Sequence, residues 1–268
     1  MGLEHEAKDA ARTAESSTVF EIFARAGFAA VGVIHLLVGV LAIALACGAH
    51  ADSSPSGALK AVAGTPVGSV LLWILALVLW VLAVWEGFDG LLGRGTSESK
   101  AARRVSDWAR GLGYLVLGVV AASIALGSRP NADRSAVDIS RGLLAVPGGV
   151  FVLGAVGIGI AVAGAVFAVI GVRRGFRKKM TLPPGLAGRA IEALGLIGYA
   201  AKGLALLVVG ILVLVAAVRV DPQAAGGVDA AMSALMALPF GPLLTALVGA
   251  GFVLYGAFCL LRTRYAKL

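Results

Sequence analysis

The sequence predicts an all-α integral membrane protein whose six transmembrane helices form three two-helix hairpins of the same orientation. Hydrophobic residues make up 59% of the chain and charged residues only 14%, whereas charged residues are about a quarter of a soluble domain. Charge-free apolar runs recur along the chain, and several approach or exceed the roughly 20 residues that a bilayer span needs. A pattern of glycines also recurs at fixed offsets, which indicates that one unit is repeated.

The repeat is defined by pairs of glycines seven residues apart. The pairs are Gly32 and Gly39, Gly111 and Gly118, and Gly203 and Gly210, with offsets of 79 and then 92 residues. The prolines that precede the second apolar run, Pro66, Pro147 and Pro239, follow at 81 and 92. Shared offsets across both runs indicate a two-helix unit present three times. Each glycine pair shares one helix face, which predicts close helix packing in preference to the alternative, a ligand path.

These offsets define the predicted domain organisation. Residues 1–20 form a polar cytoplasmic tail, and the repeats occupy residues 21–95, 99–179 and 186–268. The predicted spans are residues 26–47, 67–88, 108–127, 149–172, 193–218 and 240–261. A short interfacial helix is expected around residues 58–61. Acidic residues occupy the N-terminal region where a signal peptide would be basic, so we expect the first span to be retained.

The distribution of Lys and Arg predicts the orientation. Seventeen flank the spans on the side of the termini and five lie on the opposite side. Because basic residues favour the cytoplasmic side, both termini are expected in the cytoplasm, with the protein in a bacterial inner membrane. Repeats of equal orientation predict approximate threefold pseudosymmetry about the membrane normal. The net charge of +8 predicts contact with anionic inner-leaflet headgroups, whereas the spacing of the basic residues gives no reason to expect a nucleic-acid partner.

The repeated pattern also carries a family resemblance. Residues 110–118 run basic residue, Gly, two residues, aromatic residue, three residues, Gly, and the second helix of repeat one follows the sequence GALKAVAGTPVG at residues 57–68. Over about residues 21–262 the chain resembles domain-of-unknown-function family 1206, bacterial membrane proteins that usually contain this two-helix unit three times and often come from actinomycetes. The resemblance implies this fold and no activity. The chain departs from the pattern at Val31, His35 and Leu206.

His35 is the ionisable residue that the pattern places inside the first span. Such a residue is a functional hypothesis by default, and a pKa near neutrality would suit proton handling. The aligned positions hold Tyr114 and Leu206, so the fold does not require an imidazole. A neutral His35 bonded to a neighbouring helix is therefore the favoured interpretation.

Two cations occupy one repeat position, near the expected cytoplasmic interface. They are Arg110 and Lys202, and the carboxylates expected at a similar depth are those of Glu86, Asp89, Asp107 and Glu192. The favoured interpretation is a set of ion pairs that fixes helix order, since an unpaired charge in hydrocarbon costs several kcal/mol. The alternative is a basic pocket for an anionic headgroup or solute.

The function is less constrained than the fold. Motifs typical of hydrolases, metalloproteases and nucleotide-binding enzymes are missing, so we expect no enzyme, no cofactor and no metal site. Cys47 and Cys259 are expected at opposite ends of their spans, which argues against a disulfide. The favoured hypothesis is a structural or partner-binding protein, such as an accessory subunit of an envelope or membrane complex. The alternative is a small-solute or ion transporter that uses His35, Lys202 and the interfacial acidic residues.

Overall fold

The computed structural model describes residues 18–49, 51–92 and 100–266, and these residues are mainly helical. The α-helices are α1 (Thr18–Ala46), α2 (Pro55–Ala63), α3 (Gly68–Leu92), α4 (Lys100–Ala125), α5 (Ala132–Leu144), α6 (Gly149–Val172), α7 (Leu186–Arg219), α8 (Val228–Met236) and α9 (Gly241–Tyr265). Two short 3-10 helices cover Gly175–Lys179 and Pro222–Ala224. Residues 1–17 of the predicted polar tail lie outside the described residues, whereas residues 18–20 belong to α1.

Five of these helices are long and apolar enough to cross a membrane, namely α1, α3, α6, α7 and α9. The multi-pass, all-helical prediction is therefore confirmed at this level. The remaining predicted span, the third along the chain at residues 108–127, falls on α4, whose apolar part, Arg110–Ala125, is shorter than the other five helices. Helix α7 continues through Lys202 without a break.

Each repeat contains a short helix between its two long ones. The predicted short helix of repeat one is confirmed as α2, whereas α5 and α8 occupy connecting segments in which no helix was predicted. The second long helices begin at Gly68, Gly149 and Gly241. A Cβ atom there would collide with a carbonyl oxygen at the end of the short helix, that of Val62, Leu143 or Met236 respectively. Glycine is thus required wherever the chain turns back into its second long helix.

The described residues form two compact units. The first holds residues up to Ala30 and Val62–Ser128, and the second holds Val31–Ala61 and the residues from Arg129 onward. In the first unit α3 packs along α4. In the second, α7 packs against α6 and α9, and the part of α1 from Val31 packs against α9. All contacts described below lie within one unit or the other.

The core of the second unit contains an aromatic cluster. Phe176, which belongs to the basic link after α6, is 3% exposed. Its ring stacks on Tyr199 at 5.6 Å between centroids and meets Phe258 edge-on at 5.0 Å. The backbone N–H of Thr181 donates to the carbonyl of Tyr265 at 2.8 Å. The link is therefore fixed against α7 and the end of α9.

Candidate functional site

The repeat glycines of α1 face the glycines of α9. A Cβ atom on Gly39 would lie 2.6 Å from the carbonyl oxygen of Gly249, and one on Gly32 would lie 3.0 Å from that of Gly256. The two backbones therefore touch at two places seven residues, or about two helical turns, apart. No larger residue fits either place without separating the helices.

Corresponding glycines also face backbone carbonyls in the other two helix pairs. Between α6 and α7, a Cβ atom on Gly164 would lie 2.7 Å from the Gly203 carbonyl, and one on Gly157 would lie 3.1 Å from the Gly210 carbonyl. Between α3 and α4, Gly111 faces the Ala83 carbonyl at 3.3 Å and Gly118 faces the Ala76 carbonyl at 3.4 Å.

The three interfaces correspond residue by residue. The sequence offsets of 81 and 92 place Ala76 in register with Gly157 and Gly249, and they place Ala83 in register with Gly164 and Gly256. In each case the second long helix of one repeat packs on the first long helix of another. All six repeat glycines, Gly32, Gly39, Gly111, Gly118, Gly203 and Gly210, therefore serve helix packing.

His35 lies at the α1–α9 interface and is half-buried. Its Nδ1–H donates to the carbonyl of Val31, one turn earlier in its own helix, at 2.7 Å. Its ring packs edge-on against Tyr255 at 4.8 Å and against Phe252 at 5.8 Å. The expected bond to a neighbouring helix is thus replaced by a bond within α1, and the neighbouring helix contributes ring contacts. Tyr114, which aligns with His35, is half-buried on α4.

Arg110 forms the ion pair that the sequence predicted. Its Nε and Nη2 donate to the two carboxylate oxygens of Glu86, each at 3.0 Å. Such two-point pairing is the strong geometry for arginine and carboxylate. The side chains of Asp89 and Asp107, the other proposed partners, lie outside the described residues.

Lys202 is surrounded differently, although it aligns with Arg110. Its Nζ lies 4.9 Å from the centre of the Phe167 ring and 4.7 Å from that of Tyr255. Aromatic faces attract cations, with more effect where water is excluded. Among the described residues no carboxylate forms an ion pair with Lys202. The expected ion pair is replaced by contacts with aromatic faces.

The repeat offsets explain this difference. The position held by Glu86 in repeat one is held by Phe167 in repeat two and by Cys259 in repeat three. On the partner helix, Val31 occupies the position of Arg110 and Lys202, and Val31 packs against the cluster that contains Cys259. The same position therefore holds a different contact in each of the three interfaces. It is an ion pair between α3 and α4, a cation over an aromatic ring between α6 and α7, and an apolar contact between α1 and α9.

Glu192 pairs with two arginines of the link after α6. Arg174 Nη1 lies 3.2 Å from one carboxylate oxygen and Arg177 Nε lies 3.1 Å from the other. Glu192 was expected to partner Lys202 or Arg110. It lies ten residues from Lys202 on the same helix, about 15 Å along the axis, which is too far for an ion pair.

The repeated architecture has counterparts in known sequences. A family model described as Domain of Unknown Function (DUF1206) matches residues 26–93, 107–174 and 197–266. The chain belongs to this family. The resemblance and its three repeats are therefore confirmed.

A DUF1206 assignment brings no activity with it. The chain is 27% identical over 258 residues to the uncharacterized protein YxxB of Bacillus subtilis (strain 168). The aligned region covers 92% of this chain and 91% of that protein. No solved structure matches this DUF1206 chain.

This DUF1206 protein also carries a polar cluster that sequence reasoning missed. Ser53 donates to Asp229 Oδ1 through its N–H and its hydroxyl, both at 2.8 Å. Asp133 accepts from the N–H groups of Gly227 and Ala230 at the start of α8. The three repeats thus exchange hydrogen bonds between their connecting segments. The three aspartates, Asp52, Asp133 and Asp229, do not recur at a constant repeat offset. The only sequence signal for the cluster is that Asp52 and Asp133 are separated by the repeat offset of 81 residues.

Two carboxyl groups of this cluster are shifted in opposite directions. Burial raises the pKa of Asp133, the donors of Gly227 and Ala230 oppose that shift, and the negative charges of Asp229 and Asp52 add to it. Partial burial also acts to raise the pKa of Asp52, but hydrogen bonds from Ser54 and Lys60 outweigh it and lower the pKa. The Lys60 Nζ donates to Asp52 Oδ2 at 2.9 Å.

Metal binding finds no support in the part of the chain that the structure describes. Within it, no group of three His, Cys, Asp or Glu side chains is placed to hold an ion. Both cysteines are free, with Cys47 exposed and Cys259 buried.

Proposed function

We propose that this DUF1206 protein is a structural or partner-binding membrane protein, an accessory subunit of an envelope or membrane complex, with no catalytic role and no cofactor. The observation that carries this proposal is the backbone contact in three equivalent interfaces. Transporters built from repeats work by moving one repeat against another. Interfaces in which glycine backbones touch favour a fixed body that presents its outer surface to other molecules.

The proposal includes a specific placement in the membrane. The protein has six spans in a bacterial inner membrane, with both termini cytoplasmic and the repeats related by an approximate threefold axis along the membrane normal. The equivalence of the three helix pairs supports this symmetry. A short apolar stretch in α4 is compatible with spanning because a paired Arg110 can extend toward the interface. Superposing the repeats in an experimental structure should give rotations near 120°, and an axis in the membrane plane would refute the arrangement.

A membrane partner should contact one outward surface and leave another free. Helix α3 presents Val70, Leu77 and Val84, which are 60%, 56% and 60% exposed. Helix α6 presents Phe151 and Ile158, which are 83% and 56% exposed. These two rows of side chains are comparable in chemistry, so each serves as the control for the other.

Site-specific photo-cross-linking tests this expectation. A benzophenone amino acid is placed at each of these five positions and the protein is irradiated in native membranes. We expect one protein adduct of constant mass from one row and none from the other. Protein adducts from neither row, or the same mixture from both, would contradict a specific partner.

Transport is the second candidate function because Lys202 keeps a cation among aromatic rings without an ion-paired carboxylate in the described chain. Lys202 lies 17 residues before the end of α7 at Arg219, about 26 Å along the axis and so near one edge of the hydrocarbon core. Flux of small solutes and ions into proteoliposomes tests this role, with Lys202→Met and the exposed Lys178→Met as matched variants. Flux that Lys202→Met alone abolishes would replace the structural proposal.

A further inference from the structure

The first turns of α7, which contain Arg189, form one wall of a cavity. The cavity has a volume of about 540 Å³ and lies between the link after α6 and the first turns of α7. Its charged lining consists of Arg174, Arg177, Arg189 and Glu192, and its apolar lining includes Leu196 and Ile197. All of these residues belong to the second compact unit.

The charge of this cavity is not balanced by its own residues. Glu192 is shared between Arg174 and Arg177, so three guanidinium groups face one carboxylate. The Arg189 guanidinium has no ion-pair or hydrogen-bond partner among the described residues. Arginine stays charged at any physiological pH. The cavity therefore keeps a net charge of +2, including a guanidinium that is open to an anion.

The backbone at Arg174 holds a conformation that arginine rarely adopts. Its φ angle is +52°, in the left-handed region, which costs a residue with a Cβ about 1 kcal/mol or more. This conformation ends α6 and allows the next residues to fold back, so that Arg174 and Arg177 both reach Glu192. The local strain is offset by these two ion pairs and by the buried ring of Phe176.

The cavity changes from charged to apolar along one face of α7. Arg189, Glu192 and Leu196 follow one another at spacings of three and four residues, and Ile197 is 45% exposed. Helix α7 has 34 residues, about 51 Å of helix, whereas the hydrocarbon core is about 30 Å thick. The first turns of α7 therefore extend past the core, while Leu196 and Ile197 lie closer to it.

We infer that this cavity binds the phosphodiester headgroup of an anionic phospholipid, with Arg189 and Arg177 on the phosphate and an acyl chain along Leu196 and Ile197. A guanidinium matches two phosphate oxygens at once. A small soluble anion would use the arginines but not the apolar wall. A zwitterionic lipid would bring an ammonium group, and the Glu192 that could receive it is already paired. This inference stands apart from the proposed partner-binding role, because it concerns one cavity of the chain alone.

The test measures lipid binding to the full chain in neutral detergent by native mass spectrometry. Phosphatidylglycerol and phosphatidylcholine with identical acyl chains are titrated separately. We expect phosphatidylglycerol to bind about tenfold more tightly, and Arg189→Ala to remove most of that preference. Arg173→Ala is the matched control, since it deletes the same charge from a residue that neighbours Arg174 but does not line the cavity. It should leave the preference within about twofold.

Three outcomes would overturn the inference. Equal affinity for the two lipids would show that the cavity does not select anionic headgroups. An equal loss in Arg173→Ala and Arg189→Ala would show diffuse attraction to basic residues. Complete displacement of phosphatidylglycerol by millimolar inorganic phosphate would identify a soluble anion as the occupant. Each of these outcomes is independent of the photo-cross-linking result, which tests the partner-binding role.

Discussion

Single glycines decide how closely the long helices approach, and their neighbours show which of them matter. In α6 a Cβ atom on Gly164 would lie 2.7 Å from the carbonyl oxygen of Gly203 and 2.7 Å from the backbone nitrogen of Leu207. A Cβ atom on Gly159 would have no neighbour within 4 Å. Both atoms near Gly164 belong to backbone, which cannot move without displacing α7. The two positions differ in packing although they lie on one helix.

The variants Gly164→Ala and Gly159→Ala should therefore have opposite effects on stability. We expect Gly164→Ala to lower the free energy of unfolding by about 1–3 kcal/mol through overpacking. Gly159→Ala should be neutral or stabilising by up to about 1 kcal/mol, because alanine favours helix. Thermal unfolding of both proteins in the same detergent measures the difference. Equal unfolding temperatures would mean that the α6–α7 contact yields without cost.

At the scale of elements, the connecting helices α2, α5 and α8 join the repeats through carboxylates. Asp133 binds the N–H groups of Gly227 and Ala230, so a residue of repeat two serves as the N-terminal cap of α8, whose own N-cap residue is Gly227 without a side chain. The sign of each pKa shift decides how pH acts. Lowering of the Asp52 pKa means that its ionised form stabilises the fold above about pH 4, and this contribution is lost as the pH falls. Raising of the Asp133 pKa means that ionisation there costs stability as the pH rises.

Asp52→Asn should consequently destabilise the protein at pH 7 and much less at pH 3.5. The expected loss at pH 7 is about 0.5–1 kcal/mol, since the pair with Lys60 is partly exposed to solvent. Asp133→Asn keeps the accepting oxygen without the charge, so it should leave stability at pH 7 unchanged or raised. Unfolding temperatures of both variants at the two pH values test this. If Asp52→Asn lowers the unfolding temperature equally at both pH values, the ionisation of Asp52 does not contribute to stability.

The elements also show how far the sequence determines the fold. Apolar length located the long helices, and α6 begins and ends at the predicted residues because Pro147 and Arg173 bound its apolar run. Helices α5 and α8 were missed because they lack the long apolar runs that located the spans, although Asn131 caps α5 and Ile139 and Leu143 share one of its faces. In the site, Arg110 and Glu86 followed from depth alone. The surroundings of Lys202 did not follow from depth. The position that faces it holds Phe167, and this is recognised only when the second helices of repeats one and two are aligned.

At the scale of the whole molecule, the internal repeat fixes contact geometry while allowing chemistry to vary. The equivalent interfaces keep small residues at two places, where the backbones of the two helices come close together. At a third place they hold an ion pair, a cation over an aromatic ring, and an apolar contact.

The proposed orientation can be read from the native cysteines. Cys47 is exposed just after α1, whereas Cys259 is buried in α9. If both termini are cytoplasmic, the end of α1 at Cys47 faces outward. A membrane-impermeant maleimide should then label the unmodified protein on intact cells, and Cys47→Ser should abolish that labelling. This follows from the excess of Lys and Arg on the side of the termini.

The opposite side requires a cysteine of its own. Lys178 is an exposed residue of the basic link after α6, so Lys178→Cys in the Cys47→Ser background provides the matched probe. We expect this variant to react with the maleimide only after the membrane is permeabilised, because positively charged links resist translocation. Labelling of position 178 on intact cells, with Cys47 protected in the unmodified protein, would reverse the orientation. It would also place the arginine-lined cavity in the outer leaflet, where the same phosphodiester chemistry would meet a different lipid population.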